Sequence, residues 1–109
     1  MKFIYCFMLP EWFPLPIEFE WDEGNSYKNW HKHGVEREEA EQVFAKKPLI
    51  TPDPRHSARE DRFYAVGLTE EQRMLSIAFT LRKQRIRIIT ARTSSRKERK
   101  MYEAYKEEA

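Results

Sequence analysis

Three neighbouring stretches decide the fold: Arg62-Phe63-Tyr64-Ala65-Val66-Gly67-Leu68, then Met74-Leu75-Ser76-Ile77-Ala78-Phe79-Thr80-Leu81, then Arg85-Ile86-Arg87-Ile88-Ile89-Thr90-Ala91. Each is rich in β-branched and aromatic residues, as strands are. The polar connections Thr69–Arg73 and Arg82–Gln84 are too short for a crossover, so consecutive strands must be antiparallel neighbours. The middle stretch is almost continuously apolar, which suits a central strand. In the last, Arg85, Arg87 and Ile89 alternate with Ile86, Ile88 and Thr90, so one face of that strand is cationic.

Upstream, Phe19 and Trp21 alternate with Glu18, Glu20 and Asp22, the pattern of a short, half-buried first strand. Asp22 can cap a helix over about residues 23–33, with Tyr27, Trp30 and His31 at helical spacing and Gly34 as its left-handed stop. A second helix is predicted over Glu36 to Lys46, with acids at its start, basic residues at its end and an apolar stripe of Ala40, Val43 and Phe44. Residues 49–60 contain Leu49-Ile50 and then Thr51-Pro52-Asp53-Pro54-Arg55-His56-Ser57, and are read as a loop. Downstream, Ser95 and Glu98 form a capping box that opens a helix to about Glu107, with Met101, Tyr102 and Tyr105 as its stripe. The order predicts an α+β fold: an antiparallel sheet of about four strands with two N-terminal helices and one C-terminal helix, the helices over one side.

A chain of 109 residues suits one domain, expected over residues 18–109. Residues 1–17 read as an extension that packs on the domain or a neighbouring chain, from a start codon upstream of the real one. Their apolar beginning is cut by Pro10, Pro14 and Pro16 and lacks a small-residue cleavage pattern, so it is not read as a signal peptide. No stretch approaches the ~20 apolar residues of a membrane helix. Cys6 is the one cysteine, and there is no Cys/His cluster of zinc spacing, which fits a reducing, cytoplasmic setting without a structural metal. P-loop, GxGxxG and HExxH motifs are missing, so no cofactor is expected.

The formal charge is +2, but its distribution is uneven. From Arg82 to Lys100 nine basic residues face one acid, Glu98, a local balance of +8 that leaves −6 for the rest. Such a segment fits a polyanion, nucleic acid first, and equally a solvated face laced with ion pairs. Metal-free RNA cleavage needs a base near the 2′-hydroxyl, cationic donors on the phosphorane and an acid for the leaving oxygen. Arg87 inside a strand and Arg92 just past its end are well placed for phosphate, with Arg62 joining if its strand lies near. His33 near a helix end is a candidate acid or base or simply a cap, and His56 in the loop ranks below it. Trp30 and Tyr102 could stack on bases or belong to the core.

Taken in order, several pieces resemble the BrnT family of toxins. They are Phe19-Glu20-Trp21-Asp22, Lys32-His33-Gly34-Val35 with Glu38-Glu39-Ala40, Asp61-Arg62-Phe63 with Val66-Gly67, Ile86-Arg87-Ile88-Ile89-Thr90-Ala91-Arg92, and Arg96-Lys97-Glu98-Arg99 with Tyr102. The likeness spans about residues 18–105; the extension before Glu18 and the loop 52–60 depart from it. The resemblance implies a RelE-like ribonuclease fold, a type II toxin–antitoxin system and inhibition of translation by RNA cleavage. It also implies a BrnA-like antitoxin with a ribbon-helix-helix domain, through which alone the complex would bind operator DNA, and leaves open a homodimer within that complex. By position it gives Arg62, Arg87, Arg92 and His33 as catalytic candidates. Arg82, Arg85, Arg96, Arg99 and Tyr102 are the expected RNA-binding set. A non-catalytic nucleic-acid-binding module, or an adaptor docking an acidic protein, would use the same cationic segment.

Overall fold

A computed structural model describes residues 12–25, 33–56 and 60–108. Four strands, β1 (Leu49–Pro52), β2 (Arg62–Leu68), β3 (Met74–Arg82) and β4 (Arg85–Thr93), form one sheet in that order, each antiparallel to the next. Helix α1 (Arg37–Ala45) precedes the sheet and helix α2 (Arg96–Glu108) follows it. The three expected central strands are all present. Residues 23–25 and 33 are helical, and Asp22 accepts from the Asn25 amide as a cap should. Tyr27, Trp30 and His31 lie outside the described residues.

Two of the expected strand assignments change. Leu49–Pro52, read as loop, is the edge strand β1, paired from Leu49 with Val66 to Pro52 with Phe63. Proline is tolerated there because an edge strand leaves half its amides unpaired, and Pro52 closes the strand. Residues 18–22 form no full strand. Instead Phe19 makes an isolated parallel bridge to Ile86: Glu20 N donates to Ile86 O, and Ile86 N to Glu18 O, both at 2.8 Å. The chain then turns away into the helical turn capped by Asp22, and Asn25, buried, ties it down by donating from Nδ2 to Glu20 O and Ile88 O.

The helices lie on opposite faces of the sheet, not on one. Alternation in β2 and β3 sends Phe63, Ala65, Leu75, Ile77 and Phe79 to the face covered by α1, where Val43, Phe44 and Phe13 complete the main core. Phe44 meets Phe13, Phe19 and Phe79 with ring centroids 5.1–6.1 Å apart. Gly67 lies under α1; a Cβ there would stand 3.1 Å from Val43 and 3.2 Å from the Pro48 side chain. The other face carries Val66 and Met74, an apolar patch that also needs cover, and α2 supplies Tyr102 and Tyr105. Met101, expected in that stripe, is 40% exposed because it points to the rim of the sheet beside α2.

β4 departs from simple alternation at one place. Ala78 pairs with Thr90 but Phe79 pairs with Ile88, so Ile89 is an extra residue and a bulge. Beyond it, Ala91 rather than Thr90 points into the core, and the outward face switches phase.

Candidate nucleic-acid interface

The bulge determines where the arginines go. In a regular strand Arg87 and Arg92, five residues apart, would face opposite sides of the sheet. With Ile89 bulged, Arg87 stands beside Thr80 and Arg92 beside Ser76, two positions of β3 that share a face. Arg62 pairs with Thr80 from the other side, so Arg62, Thr80 and Arg87 form one row across three strands. At a strand spacing near 4.8 Å the two arginine backbones are about 10 Å apart. Tyr64, Ala78 and Thr90 make the next row, and Ser76 with Arg92 the one after. α2 covers the end of this face at Val66 and Met74. The rest of the face carries small side chains, Ala78 and Thr80 buried and Thr90 half-buried, with Arg62, Arg87, Arg92 and Tyr64 around them.

These cations are held by carboxylates. Arg87 Nη1 donates to Glu20 Oε1 at 2.9 Å and to Asp22 Oδ2 at 2.8 Å, and only 19% of its side chain is exposed. The hydrogen bond from Arg87, helped by backbone donors, holds the Asp22 carboxyl below its ordinary range, and the same bond raises the Arg87 guanidinium. Arg92 forms a two-pronged pair with Glu98, at 2.8 and 2.7 Å. Glu98 also accepts from the Ser95 amide in the predicted capping box and from Ser76 Oγ, each at 2.8 Å. Led by the Arg92 bond, these contacts bring its carboxyl down to about 2. Arg82 lies 3.8 Å from Glu20 and 3.5 Å from Glu60, and Arg85 3.9 Å from Glu18.

The strand half of the basic segment is therefore laced with ion pairs. Arg96, Lys97, Arg99 and Lys100, on the first turns of α2, are exposed and have no carboxylate within 4.0 Å among the described residues. Tyr102 does not join the interface as a stacking ring: it is 4% exposed, packed on Tyr105, and burial raises its hydroxyl pKa. His33 is not gathered with the arginines either. The adjoining Gly34 carbonyl is bound by Arg73 of the β2–β3 turn at 3.1 Å, and Val35 enters the core under α1, on the opposite side of the sheet. His56 lies in the 3-10 turn Pro54–His56 after β1.

Sequence reasoning missed the roles of Glu20, Asp22 and Glu98, which set the state of Arg87 and Arg92. Asp22 and Arg87 are 65 residues apart, and no local spacing signals their meeting. Glu98 was legible as a capping residue, and its second bond, to Arg92, follows only from the path of the chain between β4 and α2.

Among solved structures this fold is similar to the crystal structure of the ribonuclease toxin BrnT from Brucella abortus, at 20% identity and a TM-score of 0.56, covering 73% of this chain and 99% of that one. At that identity the likeness shows the fold alone, a four-stranded α+β domain. Residues 21–98 match the profile described as "Ribonuclease toxin, BrnT, of type II toxin-antitoxin system". The chain belongs to this family. A comparison with curated proteins returns no match. No helix among the described residues is long and apolar enough to cross a membrane.

Proposed function

We propose that this chain cleaves RNA endonucleolytically without a metal, halting translation, and that an antitoxin of the ribbon-helix-helix kind silences it by covering the arginine face. One observation carries the reading: Arg62 and Arg87 flank Thr80 on one sheet face, and the bulge at Ile89 brings Arg92 to that same face. Arg87 and Arg92 hold the scissile phosphate and Arg62 assists. Their forked donors stabilise the added charge on the phosphorane.

In the proposed step the 2′-oxygen attacks phosphorus and the bond to the 5′-oxygen breaks. The products are a 2′,3′-cyclic phosphate and a 5′-hydroxyl. One proton leaves the 2′-hydroxyl and one reaches the departing oxygen. The reading gives the first to Glu20, which is bound to Arg87, rather than to His33. Arg82, Arg85, Arg96 and Arg99 extend the cationic track along the RNA. In the cytoplasm the toxin–antitoxin complex would reach operator DNA through the antitoxin alone, and two toxin copies would pair within that complex.

The test is to incubate the purified chain, free of partner, with end-labelled RNA in EDTA, beside Arg87→Ala/Arg92→Ala. Cyclic-phosphate ends from the parent and intact RNA from the variant are expected. Equal cleavage by both would remove the arginines from the mechanism. Intact RNA from a folded parent would turn the reading to a ribosome-dependent nuclease or a binding module.

A further inference from the structure

A cleft of 380 Å³ opens beside the arginine face, between the first turns of α2 and the β1–β2 edge. Thr51, Tyr64 and Val66 form its sheet wall, Ser95, Lys97, Glu98 and Met101 its helix wall, and Asp53 and Arg55 close the end. It is continuous with the arginine face, because Glu98 in its wall is the carboxylate that grips Arg92, and Tyr64 lies next to Arg92. The two differ in charge state. Arg82, Arg85, Arg87 and Arg92 are engaged by acids, whereas Arg55 and Lys97 are exposed cations with no carboxylate within 4.0 Å among the described residues.

We infer that this cleft binds one nucleotide of single-stranded RNA next to the scissile phosphate, its base against Tyr64 and Met101 and its phosphate between Arg55 and Lys97. The assignment rests on the reading of the chain as a ribonuclease and extends it to a substrate subsite. The Tyr64 ring, half-buried, and the Met101 side chain, exposed, both line the cleft and give a base apolar surface to meet. The hydroxyls of Thr51 and Ser95 add polar groups along it. An acidic peptide would use the two cations and leave ring and thioether without a purpose.

Binding is measured by fluorescence anisotropy with a labelled, 2′-O-methylated hexanucleotide, which cannot be cleaved through its 2′-oxygen, so affinity is read apart from catalysis. Tyr64→Leu is expected to weaken binding about tenfold, within the range for losing one base stack, while Tyr64→Phe stays near the parent. Arg55→Ala/Lys97→Ala should lower the slope of log K against log salt by about 0.7, one single-strand phosphate contact. Lys83→Ala, in the β3–β4 turn, serves as the remote cation control. Circular dichroism verifies that each variant is folded. Parental affinity in folded Tyr64→Leu and Arg55→Ala/Lys97→Ala would overturn the assignment, as would equal losses in Lys83→Ala or displacement of the RNA by an equimolar acidic heptapeptide. Failure of the parent to cleave unmodified RNA would instead count against the ribonuclease reading, whatever the hexanucleotide shows.

Discussion

Replacing Glu98 with glutamine is expected to loosen the junction between β4 and α2, and the effect should vanish in acid. The side chain keeps its shape but loses its charge, and with it the two-pronged pair to Arg92 at 2.7 and 2.8 Å. A carboxyl brought from 4.5 to about 2 corresponds at full strength to about 3.4 kcal/mol of native-state stability. Glu98 is 21% and Arg92 38% exposed, so water screens part of this, and about 1–2 kcal/mol is expected at neutral pH. The sign follows from proton uptake: the unfolded chain protonates Glu98 near 4.5 and the folded chain only near 2. The stabilisation is therefore complete above about pH 5 and lost as pH falls through the folded value, with more than half gone by about pH 3. Urea unfolding of parent and Glu98→Gln at pH 7, 5, 4 and 3 reads the difference directly, other acids cancelling in the comparison. A gap that is absent at pH 7, or unchanged at pH 3, would refute the reasoning.

Arg87→Met should raise the Asp22 carboxyl towards its ordinary 3.8, seen by carbon-detected NMR titration; an unmoved titration would mean that Arg87 does not hold it. Glu20→Gln/Asp22→Asn should free Arg87 and tighten binding of uncleavable RNA several-fold at low salt, with the gain shrinking as salt rises; weaker binding would contradict the proposed phosphate role. Gly67→Ala should cost about 1–3 kcal/mol in urea unfolding, since its Cβ meets Val43 at 3.1 Å and Pro48 at 3.2 Å. Phe44→Ala, removing a 2% exposed ring from the centre of the aromatic core, should cost about 3–5 kcal/mol, and a loss below 1 would mean that the core repacks.

Much of the fold was legible because it is local. β2, β3 and β4 follow from their β-branched and aromatic residues, the continuous apolarity of β3 and the short turns between them, and α2 from its capping box. Leu49–Pro52 was not: four residues ending in proline carry too little pattern, and they become a strand only because β2 offers a ladder to pair with. Tyr102 could be either a stacking ring or core on sequence grounds, and the apolar patch of Val66 and Met74 decides for the core. The same patch places α2 on the face opposite α1, a choice that depends on which strand positions end up side by side.

By itself the sequence determined the residue types and the order of elements: an antiparallel sheet, a cationic last strand, arginines at 62, 87 and 92, and a capped C-terminal helix. Only tertiary structure decided that these arginines share a face. Strict alternation would have separated Arg87 from Arg92, and the extra residue at Ile89 reverses the phase between them. Tertiary structure also decided their charge environment, because Glu20 and Asp22 reach Arg87 through a parallel bridge to Ile86, and Glu98 reaches Arg92 where α2 turns back over the sheet. Patterning acts over a few residues, whereas the pairing of a guanidinium with a carboxylate 65 positions away depends on the path of the whole chain.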